Sequence, residues 1–157
     1  MSTATMQRRA LDFRDFDALL NDIAELQKRG YRRLGQWDLS QILEHVGQGI
    51  EACLHGFPHQ GSWFIRRLIG PIILKSILKK RHMDDGIKVP KWWLPGPAHD
   101  ERQSVERFRK QVEDFKAFRG TPKQHPFFGP LPRETWEQLV LVHAAHHLSF
   151  LQPNPRK

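Results

Sequence analysis

From Asp12 onward the apolar positions of the chain fall into a helical rhythm, with Phe16, Leu19, Leu20, Ile23 and Leu26 recurring at i, i+3, i+4, i+7 and i+10. Asp12 or Asp15 can cap the start of this first helix and Gly30 stands where it would stop. A second helix is predicted after Asp38, because Gln41 three residues on completes a capping-box pattern. Its apolar positions Ile42, Val46, Ile50 and Cys53 lead to His55-Gly56. Residues 62–81 are denser in apolar side chains, and Pro71 should start or kink a helix within them. Arg66, Arg67, Lys75, Lys79 and Lys80 punctuate that segment. A basic amphipathic stretch of this kind can lie on a membrane, but the expected use is to cover the core or a dimer interface. Residues 82–99 lack periodicity and read as a structured loop in which Trp92 and Trp93, set among prolines, form a lid or pocket wall or equally a hydrophobic plug over the bundle. Asp100 opens a further helix with Val105, Phe108, Val112 and Phe115 at helical spacing and Gly120 at its end. After a connection through His125-Pro126-Phe127-Phe128-Gly129, a last helix starts near Arg133, and residues 136–151 read as one helix.

Four main helices and no convincing strand predict an all-α bundle with a long, partly helical connection between the second and third main helices. One domain over residues 1–157 is the expectation, since 157 residues suffice for one buried core. Residues 1–11 and 153–157 carry little apolar periodicity and are expected to be loose ends. A single cysteine excludes an internal disulfide framework and fits a reducing, cytoplasmic setting. No basic-then-apolar leader and no apolar run long enough for a transmembrane segment is seen. The net charge of +8 is the one strong deviation in composition. It is spread over many short clusters and not along one helix face, which argues against a nucleic-acid partner and for a solvated basic surface.

Chemistry enters with the histidines of the last helix. His143 and His147 are four residues apart, roughly 40° in helical projection, close enough to ligate one ion. Trp136, Leu139, Val140 and Phe150 share that face, so these rings point inward with the apolar stripe. His146 sits on the opposite edge of the stripe. Buried imidazoles must find partners for their nitrogens. Backbone groups or water can supply them, and so can a metal. His45 shares the inner side of the second helix with Ile42 and can join two rings from the last. Three imidazoles from two helices with positions left open describe a catalytic metal site; structural zinc closes its shell with four ligands, often cysteines.

The run Trp37-Asp38-Leu39-Ser40-Gln41-Ile42-Leu43-Glu44-His45 resembles the second-helix entry of the DinB/YfiT-like superfamily. His125-Pro126-Phe127-Phe128-Gly129-Pro130-Leu131, then Trp136, then His143-Ala144-Ala145-His146-His147-Leu148, is similar to a bacterial branch of it. The resemblance implies an up-down-down-up four-helix bundle, often a homodimer, whose three histidines hold a divalent metal such as zinc or nickel. Carried over by position, the ligands are His45, His143 and His147. His146 and His125 depart from the simplest pattern and stand as supporting residues or alternative ligands. The resemblance further implies a transferase that activates a low-molecular-weight thiol toward a small-molecule substrate. Trp92, Trp93, Phe127 and Phe128 are then candidates for the substrate pocket, and basic residues at its mouth for the thiol's carboxylates. A metal-dependent hydrolase and a non-catalytic, stress-associated dimeric bundle binding a ligand, nucleic acid or membrane through its positive charge are the rival readings.

Overall fold

The computed structural model describes residues 7–156. Five α-helices carry half of these residues: α1 (Phe16–Arg29), α2 (Leu39–His55), α3 (Gly70–Lys80), α4 (Glu101–Ala117) and α5 (Arg133–Leu148). The predicted caps are the ones used. Asp15 accepts from the Ala18 amide at 2.7 Å, and Asp38 and Gln41 form the reciprocal capping box. Asp12 is occupied elsewhere, paired with Arg81 at 2.7 Å. Gly30 ends α1 at a φ of 67°, a left-handed value that favours glycine.

One core is shared by α1, α2, α4 and α5, built around Phe16, Ile23, Ile50, Phe108, Phe115, Trp136 and Leu148. α2 packs chiefly on α4 and α5. α5 is apolar on nearly every side, with Leu139, Val140, Leu141, Val142, Ala144 and Ala145 all buried. That is the mark of a central helix, covered by α2 on one flank and α3 on another.

Four expectations need correction. A short antiparallel pair, β1 (Tyr31–Arg33) and β2 (Leu151–Pro153), exists where no strand was expected, with Arg33 opposite Leu151 and Tyr31 opposite Pro153. α5 therefore ends at Leu148 and not at residue 151, and Phe150 lies outside it. α4 stops at Ala117 with Phe118 as its C-cap, three residues before Gly120. Of the supposed loose N-terminal stretch, residues 1–6 lie outside the described residues, but Arg8 and Arg9 are tied down. Arg9 bonds Asp22 at 2.6 Å and the Leu148 carbonyl at 2.9 Å, and Arg8 bonds Ser149 and stacks over the Phe150 ring. These contacts and the strand pair fasten the segment before α2 to the end of α5.

Residues 65–69 form a π-helical turn running into α3, with Pro71 in the first turn of α3 as predicted. The segment does not cover the main core. Leu74 and Ile77 join Leu139 and Val142 in a small satellite cluster, whereas Trp63, Phe64, Leu68, Ile69 and Ile72 are exposed.

Candidate metal centre

α2 contributes His45 and α5 contributes His143 and His147, the rings stacked one turn apart as their spacing requires. Nε2 of His143 lies 3.0 Å from Nε2 of His45 and 3.0 Å from Nε2 of His147. The three rings form a group able to hold a metal ion. His146 and His125 do not join it.

Hydrogen-bond partners determine the tautomers. Nδ1 of His45 is 2.8 Å from the Trp93 carbonyl oxygen, which can only accept, so the ring proton is on Nδ1 and Nε2 carries the lone pair. Burial pushes the pKa of His45 down to about 4, against the pull of that carbonyl, and that of His147 down to about 2. Burial, with His147 and His45 alongside, puts His143 well below its ordinary value too. All three rings are neutral near pH 7, the state a metal needs. Hydrogen bonds alone satisfy the cluster poorly. A proton on His143 Nε2 must serve two lone pairs at once, and without it two lone pairs face each other at 3.0 Å. A cation answers all three. Two nitrogens bound to one ion at about 2.0–2.1 Å stand roughly 2.9–3.4 Å apart, depending on the angle between them, and the observed separations fall in that range. The N–H···O=C bond behind His45 is the kind of support that fixes a ligating imidazole.

That carbonyl is positioned by the polar face of α2. Gln41 Nε2 donates to the Gly96 carbonyl at 3.1 Å, the Gly96 amide donates to Glu44 at 3.3 Å, and the His99 amide donates to Ser40 at 3.0 Å. These bonds suture the loop over residues 91–99 to the helix that bears His45. Trp37, at the entry to α2, covers the cluster from the other side, stacking on His147 at 5.2 Å and leaning on His45 at 4.9 Å.

A cavity of about 360 Å³ adjoins His45 and His143. Trp93, Phe127, Phe128, Trp136, Leu139 and Val140 wall it on the core side, and Ile65, Ile73, Ile77 and Ile87 on the side of α3. Of the four aromatic residues expected at a substrate pocket, Trp93, Phe127 and Phe128 line this cavity. Trp92 lies behind the wall, stacked on Phe127 at 5.8 Å and packed on Phe57.

His125 also lines the cavity, but as the organiser of its own loop. Its Nδ1 accepts from the amides of Phe127 and Phe128 at 3.1 and 3.3 Å, and its backbone exchanges bonds with Gly129. The remaining proton sits on Nε2, which has no partner among the described residues. Trp136 Nε1, in the same wall, is a buried donor without a partner among the described residues. His146 turns away, its carbonyl and Nδ1 next to Arg8 at 3.2 and 3.4 Å, and it lines a separate, more polar cavity with Arg8, Arg81 and His82.

Sequence reasoning missed Trp37 as a cover for the rings, the Trp93 carbonyl as the partner of His45, and the donor pair of His125 and Trp136. The tryptophan opening α2 was visible as a motif. The carbonyl left no signal, because any residue supplies one.

A family model described as a protein of unknown function (DUF1569) matches residues 5–154. No curated protein and no solved structure matches the chain.

Proposed function

The chain belongs to the DUF1569 family, whose description names no function, and from that premise we propose that it is a metal-dependent enzyme that joins a low-molecular-weight thiol to an apolar electrophile. The observation that carries this reading is the convergence of three imidazole Nε2 atoms beside an apolar chamber. The likeness of residues 37–45 and 125–148 to the DinB/YfiT-like superfamily supports it, and with it a DinB-type arrangement of α1, α2, α4 and α5.

A divalent ion, zinc or nickel, would supply the positive charge that lowers the pKa of a thiol brought to it. The chain's own residues do the rest. His45, His143 and His147 offer three neutral donors, and His45 is aimed by the Trp93 carbonyl. The chamber wall excludes water and receives an apolar body. His125 Nε2 and Trp136 Nε1 are donors for an oxygen of that bound molecule, which would relieve the cost of a buried donor left unpaired. Lys88, at the rim, is placed to hold a thiol's carboxylate.

Hydrolysis is the weaker reading because no carboxylate lines the chamber among the described residues. Glu44, next to His45 in sequence, is occupied with His99 Nε2 at 3.0 Å and the Gly96 amide.

Elemental analysis of the purified protein should find about one divalent ion per chain and a clear loss in a His143→Ala variant, because an open three-ligand site tolerates deletion poorly. Consumption of an apolar electrophile should require both thiol and ion. Equal rates with and without a chelator would remove the enzymatic claim, and an ion-free parent would remove the metal.

A further inference from the structure

The segment from Trp63 to the end of α3 presents an apolar surface that nothing in the fold covers. Trp63 is 64% and Ile72 is 72% exposed, and Phe64, Leu68, Ile69 and Ile73 stand out beside them. On α3 the buried positions Gly70, Leu74 and Ile77 mark the inner side, so Ile72 projects close to the opposite side, with Lys79 about 20° and Lys75 about 60° from it, both to one side. No acidic residue occurs anywhere in residues 61–83, whereas Arg66, Arg67, Lys75, Lys79, Lys80 and Arg81 do. Some of these cations are engaged: Arg81 with Asp12, Lys80 with Asp84 at 3.7 Å, and Arg66 with the side chain of Gln124. Arg67, Lys75 and Lys79 have no carboxylate partner among the described residues.

We propose that this face docks on an anionic lipid surface, with Trp63, Phe64 and Ile72 entering the headgroup boundary and Arg67, Lys75 and Lys79 meeting the lipid phosphates. Exposed aromatic and aliphatic side chains beside long lysines on one outward surface are the composition of an interfacial segment. The alternative cover, a second copy of this face, would set Lys75 and Lys79 against their own duplicates, and like charges brought together oppose association. An anionic surface turns that repulsion into attraction. Surface docking, and not insertion, is the mode, since no helix among the described residues is long and apolar enough to cross a membrane. The same face borders the chamber. Ile65, Ile73 and Ile87 line it and are themselves 41%, 42% and 51% exposed, so a docked molecule would open its apolar cavity toward the lipid. Docking does not depend on whether the histidines hold an ion.

Co-sedimentation of the whole protein with vesicles tests this. One set is phosphatidylcholine alone, and the other contains roughly a third phosphatidylserine. Partition onto the anionic set should be at least about tenfold stronger and should collapse in about 0.5 M salt. Trp63→Ser combined with Ile72→Ser should lose at least about tenfold of it, and so should Lys75→Gln combined with Lys79→Gln. Both variants should keep the parent's circular dichroism and Tm, since the changed side chains are exposed. The proposal fails if the parent stays in the supernatant with both vesicle types or binds the two equally. It also fails if the face forms a concentration-dependent dimer that Ile72→Ser abolishes while vesicle binding is absent.

Discussion

Burial holds the His125 ring neutral, with its pKa pushed down to about 3, while its Nδ1 accepts two loop amides. An unfolded histidine titrates near 6.5. The folded value lies below the unfolded one, so the stabilisation is fully present above about pH 6.5 and is lost as pH falls toward about 3. In His125→Asn an amide oxygen can still accept from the loop, but nothing there titrates. Urea unfolding across a pH series should show the slope of stability with pH below about 6.5 reduced by up to one proton's worth, about 1.4 kcal/mol per pH unit. An unchanged slope would mean that the ring is already charged in the fold. Cys53 makes the same point for a thiol. It is buried, and burial pushes its pKa up to about 11. The native protein should therefore resist an aromatic disulfide reagent near pH 8 and react promptly once unfolded. Neither environment was visible along the chain, because desolvation is set by neighbours distant in sequence.

At the scale of elements, the helices were the legible part. α1, α2 and the starts of α4 and α5 lie where apolar spacing and caps placed them, and Asp15, Asp38 and Asp100 each cap by accepting from an amide. The strand pair was not legible. Tyr31-Arg32-Arg33 is too short to show alternation, and its partner is at the other end of the chain. What α3 packs against was not legible for a related reason, since amphipathic spacing identifies an apolar face but not what covers it. Gly70 reveals how closely this helix seats. A Cβ there would stand 2.3 Å from the Phe127 carbonyl oxygen, a backbone atom with little room to yield. Gly70→Ala should push α3 away from the loop that carries His125, Phe127 and Phe128. A loss of about 1–3 kcal/mol in denaturant unfolding is expected, with weaker binding of any chamber ligand.

For the whole molecule, an ion bound only by the folded state stabilises it by mass action. Zinc or nickel in free concentration about a hundredfold above its Kd should raise the Tm of the metal-stripped protein by roughly 5–10 °C. A His147→Ala variant should show little shift. Equal shifts in both would place the ion elsewhere, for instance near His146 and His82.

Local periodicity by itself determined which segments are helices, that His143 and His147 share a face, and that His45 turns inward. Those are angular facts about a single helix, fixed by about 100° per residue. Tertiary structure decided that His45 completes the trio while His146 and His125 stand aside. It also decided that the Trp93 carbonyl orients His45, and that a chamber opens between α5 and α3. Those outcomes depend on how far one helix slides and rolls against another. The summed contacts of the core, the strand pair and the sutured loop set that distance, and no spacing within a single segment encodes it.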